Sequence, residues 1–255
     1  MPCRTTSPPL RRCRPRTHPD FQVAERIWFV IAAAGRASRF GGPVPKPYLR
    51  IAGRTFLEHC IRTLSGVKGI AGGAAVLAEG DRRFERLPAA VRNRVVAVAG
   101  GPSRAASVLH GLEALITAGS HDWVLVHDAA RPCLRRLDVE TLVKACRRDP
   151  VGGLLAVPVA DSVKLSDDAG RSVRTVPRDG LWRAQTPQMF RLGILLAALK
   201  RARDEGFDPG DEAAAVENLG LAPRLVEGSP LNVKVTRPAD LAFAEAAMRM
   251  GRRVA

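Results

Sequence analysis

The sequence predicts an α/β protein with a Rossmann-like, mostly parallel and twisted sheet, helices on both faces and a protruding β-hairpin arm. Between residues 26 and 150, short apolar runs alternate with amphipathic stretches. The runs are continuous rather than interrupted by polar residues, as expected for strands that are buried on both faces. Such strands in regular alternation with helices predict βαβ units, and therefore a parallel sheet.

The first half of the chain contains four predicted strands and three predicted helices. The strands are RIWFVIAAA (26–34), AAVLA (74–78), RVVAVAG (94–100) and WVLVHDAA (123–130). The helices are TFLEHCIRTL (55–64), SRAASVLHGLEALI (103–116) and DVETLVKAC (138–146).

The pattern changes after Pro150. Apolar and polar residues alternate around the turn signal SDDAGRS, which predicts a long hairpin arm of about residues 153–180. Two helices at about 191–204 and 211–219 are expected next. They precede the strand-like segments PRLVEG and LNVKVT and a closing helix, RPADLAFAEAAMRM, with Pro238 in its first turn.

The chain divides into two regions of unequal size. Residues 1–24 are rich in Arg and Pro and show no apolar periodicity, which predicts a disordered extension. This composition fits a transit peptide, a plain tail or a start codon placed too early. Residues 25–255 are long enough for one α/β domain.

Composition narrows the possible partners. Forty Lys and Arg against twenty-five Asp and Glu give a net charge of +15, which favours nucleic acid, a membrane surface or phosphorylated metabolites. With one Tyr and no basic stripe interleaved with aromatics, small phosphates are favoured over nucleic acid. No apolar run approaches the roughly 20 residues that cross a bilayer. Five cysteines without a CxxC pair argue against a zinc site or a disulfide framework and for a reducing compartment.

The first loop of interest follows the first predicted strand. Small residues from Ala34 to Gly42 allow backbone N–H groups to approach an anion, and Arg39 and Lys46 add positive charge. The loop is neither a Walker loop nor a dinucleotide fingerprint. By itself it is equally compatible with an anion-binding nest and a structural connection.

Two further loops follow predicted strands, at the edge of a parallel sheet where ligands bind. Gly100 to Ser107 is a glycine turn that leads into a helix with Ser103 as its N-cap. The alternative is an ordinary connection in which Arg104 faces water. In the other loop, Asp128 is a candidate Mg²⁺ ligand, and the alternative is a structural pair with Arg131. His127 is interpreted as a core histidine rather than a base.

Together these segments resemble the 2-C-methyl-D-erythritol 4-phosphate cytidylyltransferases. The resemblance spans about residues 28–246 in the family's order. It rests on AAGRASRFGGPVPK, LEHCI, GGPSRAASVLHGL, WVLVHDAARPC, PVADSVK with RDGLWRAQTPQMF, DEAAAVE and NVKVTRPADL.

The resemblance implies that CMP is transferred from CTP to 2-C-methyl-D-erythritol 4-phosphate, with Mg²⁺ as cofactor and release of pyrophosphate. The first loop would embrace the triphosphate, and Arg39 and Lys46 would neutralise charge on the α-phosphate. Asp128 would place Mg²⁺ and the ribose. The remaining implied substrate-binding residues are Ala33, Ala34, Gly35, Gly101, Ser107, Ala129, Arg131, Ser162 and Thr186.

The family resemblance also assigns the acceptor side of the reaction. Arg178 and Lys234 would orient the acceptor phosphate for in-line attack, which needs no general base because a phosphate monoester is already anionic. The arm would interlock two subunits in a homodimer, so Ser162 and Arg178 would serve the partner's site. Three positions depart from the family pattern: Ala37 replaces Gly, Pro47 replaces Gln and Ser162 replaces Thr.

Two alternative functions remain open from the sequence. A ribitol 5-phosphate cytidylyltransferase shares much of this motif set, and a basic nucleic-acid-binding protein is suggested by the net charge of +15. The expected location is the cytoplasm, with a plastid less favoured.

Overall fold

The computed structural model describes residues 25–35, 44–115 and 117–251. The predicted extension of residues 1–24 therefore lies wholly outside the described residues, as do Ala37 and Arg39 of the first loop.

The described chain contains short strands and helices in alternation. The strands are β1 (Ile27–Ala32), β2 (Arg50–Ile51), β3 (Arg54–Thr55), β4 (Ile70–Leu77), β5 (Val96–Ala99), β6 (Trp123–Asp128), β7 (Gly152–Pro158), β8 (Val163–Ser166), β9 (Ser172–Val176), β10 (Trp182–Arg191) and β11 (Arg224–Glu227). The helices are α1 (Phe56–Ser65), α2 (Ala89–Arg92), α3 (Arg104–Glu113), α4 (Arg136–Cys146), α5 (Leu192–Asp204), α6 (Glu212–Glu217) and α7 (Ala239–Gly251).

Seven strands form the central sheet in the order β11-β7-β10-β6-β1-β4-β5. Every neighbouring pair is parallel except the two pairs that β10 makes with β6 and β7. The mostly parallel α/β sheet expected from the sequence is therefore confirmed. Its one antiparallel strand, β10, follows the predicted arm of about residues 153–180.

Both faces of the sheet are covered, which explains the continuous apolar strands. Ile27, Phe29 and Ile31 of β1 are fully buried on the face covered by α1 and α4. Val30 points to the opposite face and packs with residues of α3, α5 and α6. Alternate side chains of one strand thus enter two different cores, and a polar residue at either position would be buried.

Strand register places three loops side by side. Ala32, the last residue of β1, pairs with Asp128, the last residue of β6. On the other side of β1, Leu77 of β4 pairs with Ala99 at the end of β5. The loops that follow β1, β5 and β6 consequently open at one edge of the sheet, where ligands bind in folds of this type.

Close helix packing also contributes to this arrangement. A Cβ added to Gly111 of α3 would lie 2.6 Å from Val30 Cγ1 and 2.7 Å from Val76 Cγ2. These distances are too short for carbon atoms in contact, so only glycine allows α3 to approach the sheet this closely. The N-terminus of α3 is thereby held beside the ends of β1 and β5.

The predicted hairpin needs a corrected boundary. Strands β8 and β9 form a separate antiparallel pair within the predicted arm. Residues 153–158, also assigned to the arm, belong to β7 in the central sheet, where they pair with β10 and β11. An alternating pattern cannot distinguish a strand of a small hairpin from a strand at the sheet's antiparallel junction, which is why the boundary was misplaced.

The strand predicted over LNVKVT is wrong. Residues 231–236 form no strand: Leu231 lies in a turn, Asn232 lies in a bend, and residues 233–236 have no regular secondary structure. Val235 is buried in a third cluster with Ile51 and Phe56, and its backbone N–H donates to Ala130 O at 2.8 Å. The apolar residues of this segment are explained by that corner of the core rather than by strand pairing. No helix among the described residues is long and apolar enough to span a bilayer.

Candidate active site

A cavity of about 630 Å³ opens at the edge where the loops after β1, β5 and β6 meet. Its walls come from these loops, the start of α3 and the segment before α7. It is lined by Ala32, Ala33, Ala34, Gly35, Lys46, Pro47, Gly101, Pro102, Ser103, Arg104, Ser107, Asp128, Ala129, Ala130 and Lys234. Most of the candidate site residues that the structure describes therefore lie around one space.

Pro47 is accommodated in this wall without strain. Lys46, Pro47 and Tyr48 form a short 3₁₀ turn, with Pro47 near its start. The first N–H groups of a helical turn have no partner within the turn, and proline is favoured there because it lacks one. The departure from the family's Gln thus changes the side chain offered to the cavity and leaves the backbone turn intact.

The glycine turn after β5 packs tightly on the first loop. A Cβ on Gly100 would lie 2.3 Å from Ala34 Cβ, so only glycine fits at this contact. Ser107 accepts a hydrogen bond from Gly101 N at 3.0 Å and donates one to Ser103 O at 2.8 Å. The Ser107 hydroxyl therefore fixes the shape of the turn and keeps one lone pair for another donor.

Asp128 is the centre of an ionic network at the end of β6. Its Oδ1 accepts hydrogen bonds from Arg104 Nε at 3.1 Å and Arg104 Nη2 at 2.9 Å, and its Oδ2 lies 2.8 Å from Lys234 Nζ. Burial would raise the pKa of Asp128, but Arg104 and Lys234 hold that pKa well below its usual range. Asp128 is therefore an anion at any physiological pH.

Both structural alternatives considered for this region are wrong. Arg104 does not face water: it binds Asp128 and also Glu212, whose Oε1 lies 2.7 Å from Arg104 Nη1. Arg131 is not the salt-bridge partner of Asp128. It donates instead to the carbonyl oxygens of Asn232 at 2.8 Å and Ala184 at 3.3 Å.

His127 is a buried, neutral histidine, as interpreted from the sequence. Its Nε2 lies 3.2 Å from Arg131 O, which can only accept, so Nε2 carries the proton. Nδ1 then accepts a hydrogen bond from the Thr186 hydroxyl at 3.0 Å. Burial lowers the pKa of His127 to about 4.

Thr186 lies behind Asp128 rather than in the cavity wall. It is buried, and its hydroxyl oxygen accepts the backbone N–H of Asp128 at 3.1 Å. Since its proton is directed to His127, Thr186 offers at most one remaining lone pair to a substrate. Its observed contacts hold the end of β6 in place.

Ser162 and Arg178 lie apart from this cavity. Both are exposed near the base of the β8–β9 hairpin, and the Arg178 guanidinium donates to Ala160 O. Neither lines the cavity formed by the described residues of this chain.

Sequence reasoning missed Arg104, Glu212 and Asn232. Arg104 belongs to GGPSRAASVLHGL and Glu212 to DEAAAVE, and both segments were used for the resemblance without a role for these two residues. Asn232 is fully buried and donates to Thr186 O at 2.8 Å. One chemical feature of the sequence could have indicated a partner for Glu212. A Glu at the start of an apolar helix needs a cation beside it if it is buried.

The fold and this site define an α/β nucleotidyltransferase. Nucleotidyl transfer requires positioned substrates and cations around phosphates more than covalent chemistry by the protein. A cavity at the carboxyl edge of the sheet, lined by Lys46 and by an ionised Asp128 that pairs with Arg104 and Lys234, meets that requirement.

Comparison with known proteins identifies the particular family. The family model IspD, 2-C-methyl-D-erythritol 4-phosphate cytidylyltransferase, matches residues 27–250. The protein of that name from Paraburkholderia xenovorans is 48% identical over 88% of this chain and 97% of its own. The Hahella chejuensis protein of the same name is 43% identical over 90% and 96%.

A solved structure agrees with these relatives. A crystal structure of 4-diphosphocytidyl-2C-methyl-D-erythritol synthase superimposes with a TM-score of 0.77 at 34% identity, covering 88% of this chain and 98% of the other. The chain belongs to the 2-C-methyl-D-erythritol 4-phosphate cytidylyltransferase family and is an enzyme of isoprenoid synthesis. The resemblance found in the sequence is confirmed.

Proposed function

We propose that the cavity beside Asp128 binds CTP and 2-C-methyl-D-erythritol 4-phosphate and transfers CMP between them. An oxygen of the acceptor phosphate forms a bond to the α-phosphorus, and the bond from that phosphorus to pyrophosphate breaks. The product is 4-diphosphocytidyl-2-C-methyl-D-erythritol. The observation that carries this proposal is the ionised Asp128 held between Arg104 and Lys234 on a cavity that Lys46 also lines.

The nucleotide occupies the side formed by the first loop and the glycine turn. The backbone from Ala33 to Gly35 and the Lys46 ammonium face the triphosphate, with Arg39 as the second cation. Gly101 and Ser107 hold the cytosine and ribose. Supporting this division, the small residues at Ala34 and Gly100 bring the two loops into direct contact.

The acceptor occupies the side nearest Ala129 and Lys234. The Lys234 side chain is 45% exposed, so it can leave Asp128 Oδ2 for an incoming phosphate without losing much buried contact. Lys234 and the partner subunit's Arg178 orient that phosphate in line with the α-phosphorus, and Arg131 and Thr186 form the floor behind it. The acceptor phosphate is already largely anionic near neutrality, so no residue is needed as a general base.

Mg²⁺ fits this site as an ion shared between Asp128 and the phosphates of the nucleotide, rather than as an ion held by protein ligands alone. The described residues contain no cluster of three or more His, Cys, Asp or Glu side chains that would hold a metal. One ionised carboxylate together with nucleotide phosphates and water is a common environment for Mg²⁺, and Asp128 supplies the carboxylate. When bound, the ion neutralises negative charge on the triphosphate.

The working enzyme is a homodimer joined through the β8–β9 hairpin, with Ser162 and Arg178 reaching the partner's site. The hairpin carries apolar side chains that water would not favour: Leu165 is 46% and Val173 60% exposed. A second hairpin laid against these residues would cover them. The cytoplasm suits this chain, because the three cysteines among the described residues are buried free thiols.

The reaction is tested by pyrophosphate release across a panel of nucleotides and sugar-alcohol phosphates. We expect release only with CTP, Mg²⁺ and 2-C-methyl-D-erythritol 4-phosphate together. Faster release with ribitol 5-phosphate would replace the proposed acceptor. Tight, salt-dependent binding to DNA or RNA that survives deletion of residues 1–20, without pyrophosphate release, would contradict the enzymatic role.

A further inference from the structure

Glu212 is a buried charge that the proposed reaction does not use. Its side chain is only 1% exposed, at the first position of α6. A buried carboxylate is costly unless a cation and hydrogen bonds compensate it. Arg104 provides both, with Nη1 at 2.7 Å from Oε1 and Nη2 at 3.1 Å from Oε2.

Arg104 binds two carboxylates with two edges of one planar group. Its Nη1 and Nη2 hold Glu212, while its Nε and Nη2 both donate to Oδ1 of Asp128. The rigid fork of a guanidinium transmits orientation from one carboxylate to the other, which a lysine could not do. Asp128 Oδ2 is left to Lys234, whose side chain is partly exposed in the cavity wall.

The start of α6 is itself fixed to the sheet. Asp211 caps the helix by accepting Ala214 N at 2.9 Å, and its other oxygen accepts Gln188 Nε2 at 3.0 Å. Gln188 Oε1 in turn accepts Ala213 N at 2.7 Å. Glu212 therefore projects from a helix end that is clamped to β10 on both sides.

We infer that Glu212 is a positioning residue for nucleotide binding, acting through Arg104. It holds the guanidinium so that Oδ1 of Asp128 stays restrained and the carboxylate keeps its orientation in the cavity wall. This inference rests on the proposed role of Asp128 in binding CTP. A purely structural Glu212 would instead stabilise the fold and affect nucleotide binding regardless of what occupies position 128.

A double-mutant cycle separates these roles. CTP affinity is measured by calorimetry with Mg²⁺ for the wild type, Glu212→Gln, Asp128→Asn and the double variant. We expect Glu212→Gln to weaken CTP binding about tenfold in the wild-type background, the usual cost of losing a partner of a ligating carboxylate. In the Asp128→Asn background it should have no further effect. Glu217→Gln, an exposed site on the same helix, is the matched control and should leave affinity unchanged.

Folding is checked by urea unfolding of each variant. Arg104→Lys is the second probe: it keeps the charge but loses the fork, and it should give the same dependence on Asp128. Equal weakening in both backgrounds, no weakening, or tighter binding by Glu212→Gln would each overturn the inference. If the wild type binds CTP and makes product while the cycle shows no coupling, only the inference fails. If the wild type binds no CTP, the proposed function fails with it.

Discussion

A chain of hydrogen bonds joins His127 and Asp128 at the end of β6 to Thr186 of β10. The backbone N–H of Asp128 donates to Thr186, the Thr186 proton goes to His127, and the His127 proton goes to Arg131 O. Each donor therefore has one acceptor, and the neutral Nε2–H tautomer of His127 is required. A protonated ring would direct a second N–H at Thr186 and reverse that hydrogen bond.

Stability should consequently fall in mildly acidic solution. The unfolded chain takes up a proton at His127 near the ordinary pKa of 6.5, whereas burial lowers the folded pKa to about 4. Neutral His127 therefore contributes fully to the stability of the folded state above pH 6.5, and this contribution is lost as the pH falls toward 4. We expect the free energy of unfolding in urea to drop by about 2 kcal/mol between pH 7 and pH 5.

An independent measurement tests the cause of that drop. Long-range nitrogen–proton NMR spectra should show His127 with an unprotonated Nδ1 and a protonated Nε2 down to pH 5. A His127 ring that is protonated at pH 6 would contradict the hydrogen-bond assignment.

Lys46 provides a second test at the scale of one side chain. If its ammonium stabilises charge that develops on the α-phosphate, Lys46→Ala should lower kcat by roughly 10² or more with a smaller change in the KM for CTP. Steady-state kinetics with both substrates measure this. Lys68→Ala removes an exposed lysine elsewhere and is the matched control. A wild-type kcat in Lys46→Ala would rule out the assigned role.

At the scale of elements, the site depends on where helices and turns are held. The sequence alone predicted the parallel strands β1, β4, β5 and β6 and the helices α1, α3, α4, α5, α6 and α7, because their periodicity reports burial on particular faces. It could not predict the place of β10, since an alternating strand gives no information about which neighbour it pairs with. Arg104 and Glu212 were missed for the same reason: their contact joins positions 108 residues apart in the chain.

The close approach of α3 to the sheet can be tested at Gly111. Gly111→Ala would place a methyl group within 2.7 Å of Val30 and Val76, so the helix must move outward. We expect a loss of about 1–3 kcal/mol in the free energy of unfolding, typical of overpacking. Because α3 carries Ser103, Ser107 and Arg104, weaker CTP binding should accompany that loss. Ala105→Gly at the helix start would lower helix propensity without steric pressure and offers a comparison.

The turn between β2 and β3 stores strain that can be removed. Ala52 and Gly53 both have positive φ, at 47° and 84°. A two-residue hairpin turn of this kind favours Asn-Gly, whereas an L-alanine in the left-handed region costs roughly 1–2 kcal/mol. Ala52→Asn should therefore raise the midpoint of thermal unfolding, with activity unchanged. Ala52→Val, which tolerates positive φ poorly, should lower it.

At the scale of the whole molecule, the proposed dimer makes each active site depend on two chains. Lys46 lies in the cavity of one chain, whereas Arg178 lies on the hairpin and lines no part of that chain's cavity. Subunit mixing can therefore distinguish a shared site from a self-contained one. The wild-type net charge of +15 is consistent with anionic substrates but does not locate either site.

Complementation between inactive variants is the expected outcome. Lys46→Ala and Arg178→Ala are each predicted to be nearly inactive as homodimers, but a mixed dimer has one site with both residues intact. Coexpressed chains that pair at random should regain about a quarter of wild-type activity. Separately purified proteins mixed without subunit exchange are the control. Absence of any recovery in isolated mixed dimers would contradict the shared site.

The base of the hairpin has a further consequence for how this chain can vary. Val159 N donates to Leu181 O at 3.0 Å, directly beyond the pairing of Pro158 with Trp182. The segment between them thus leaves and re-enters the core at neighbouring points, with both ends anchored in the central sheet. The hairpin beyond Ser162 and Arg178 can therefore change in length without altering the path of the remaining chain, so the proposed quaternary contact can vary while those two residues at its base stay in place.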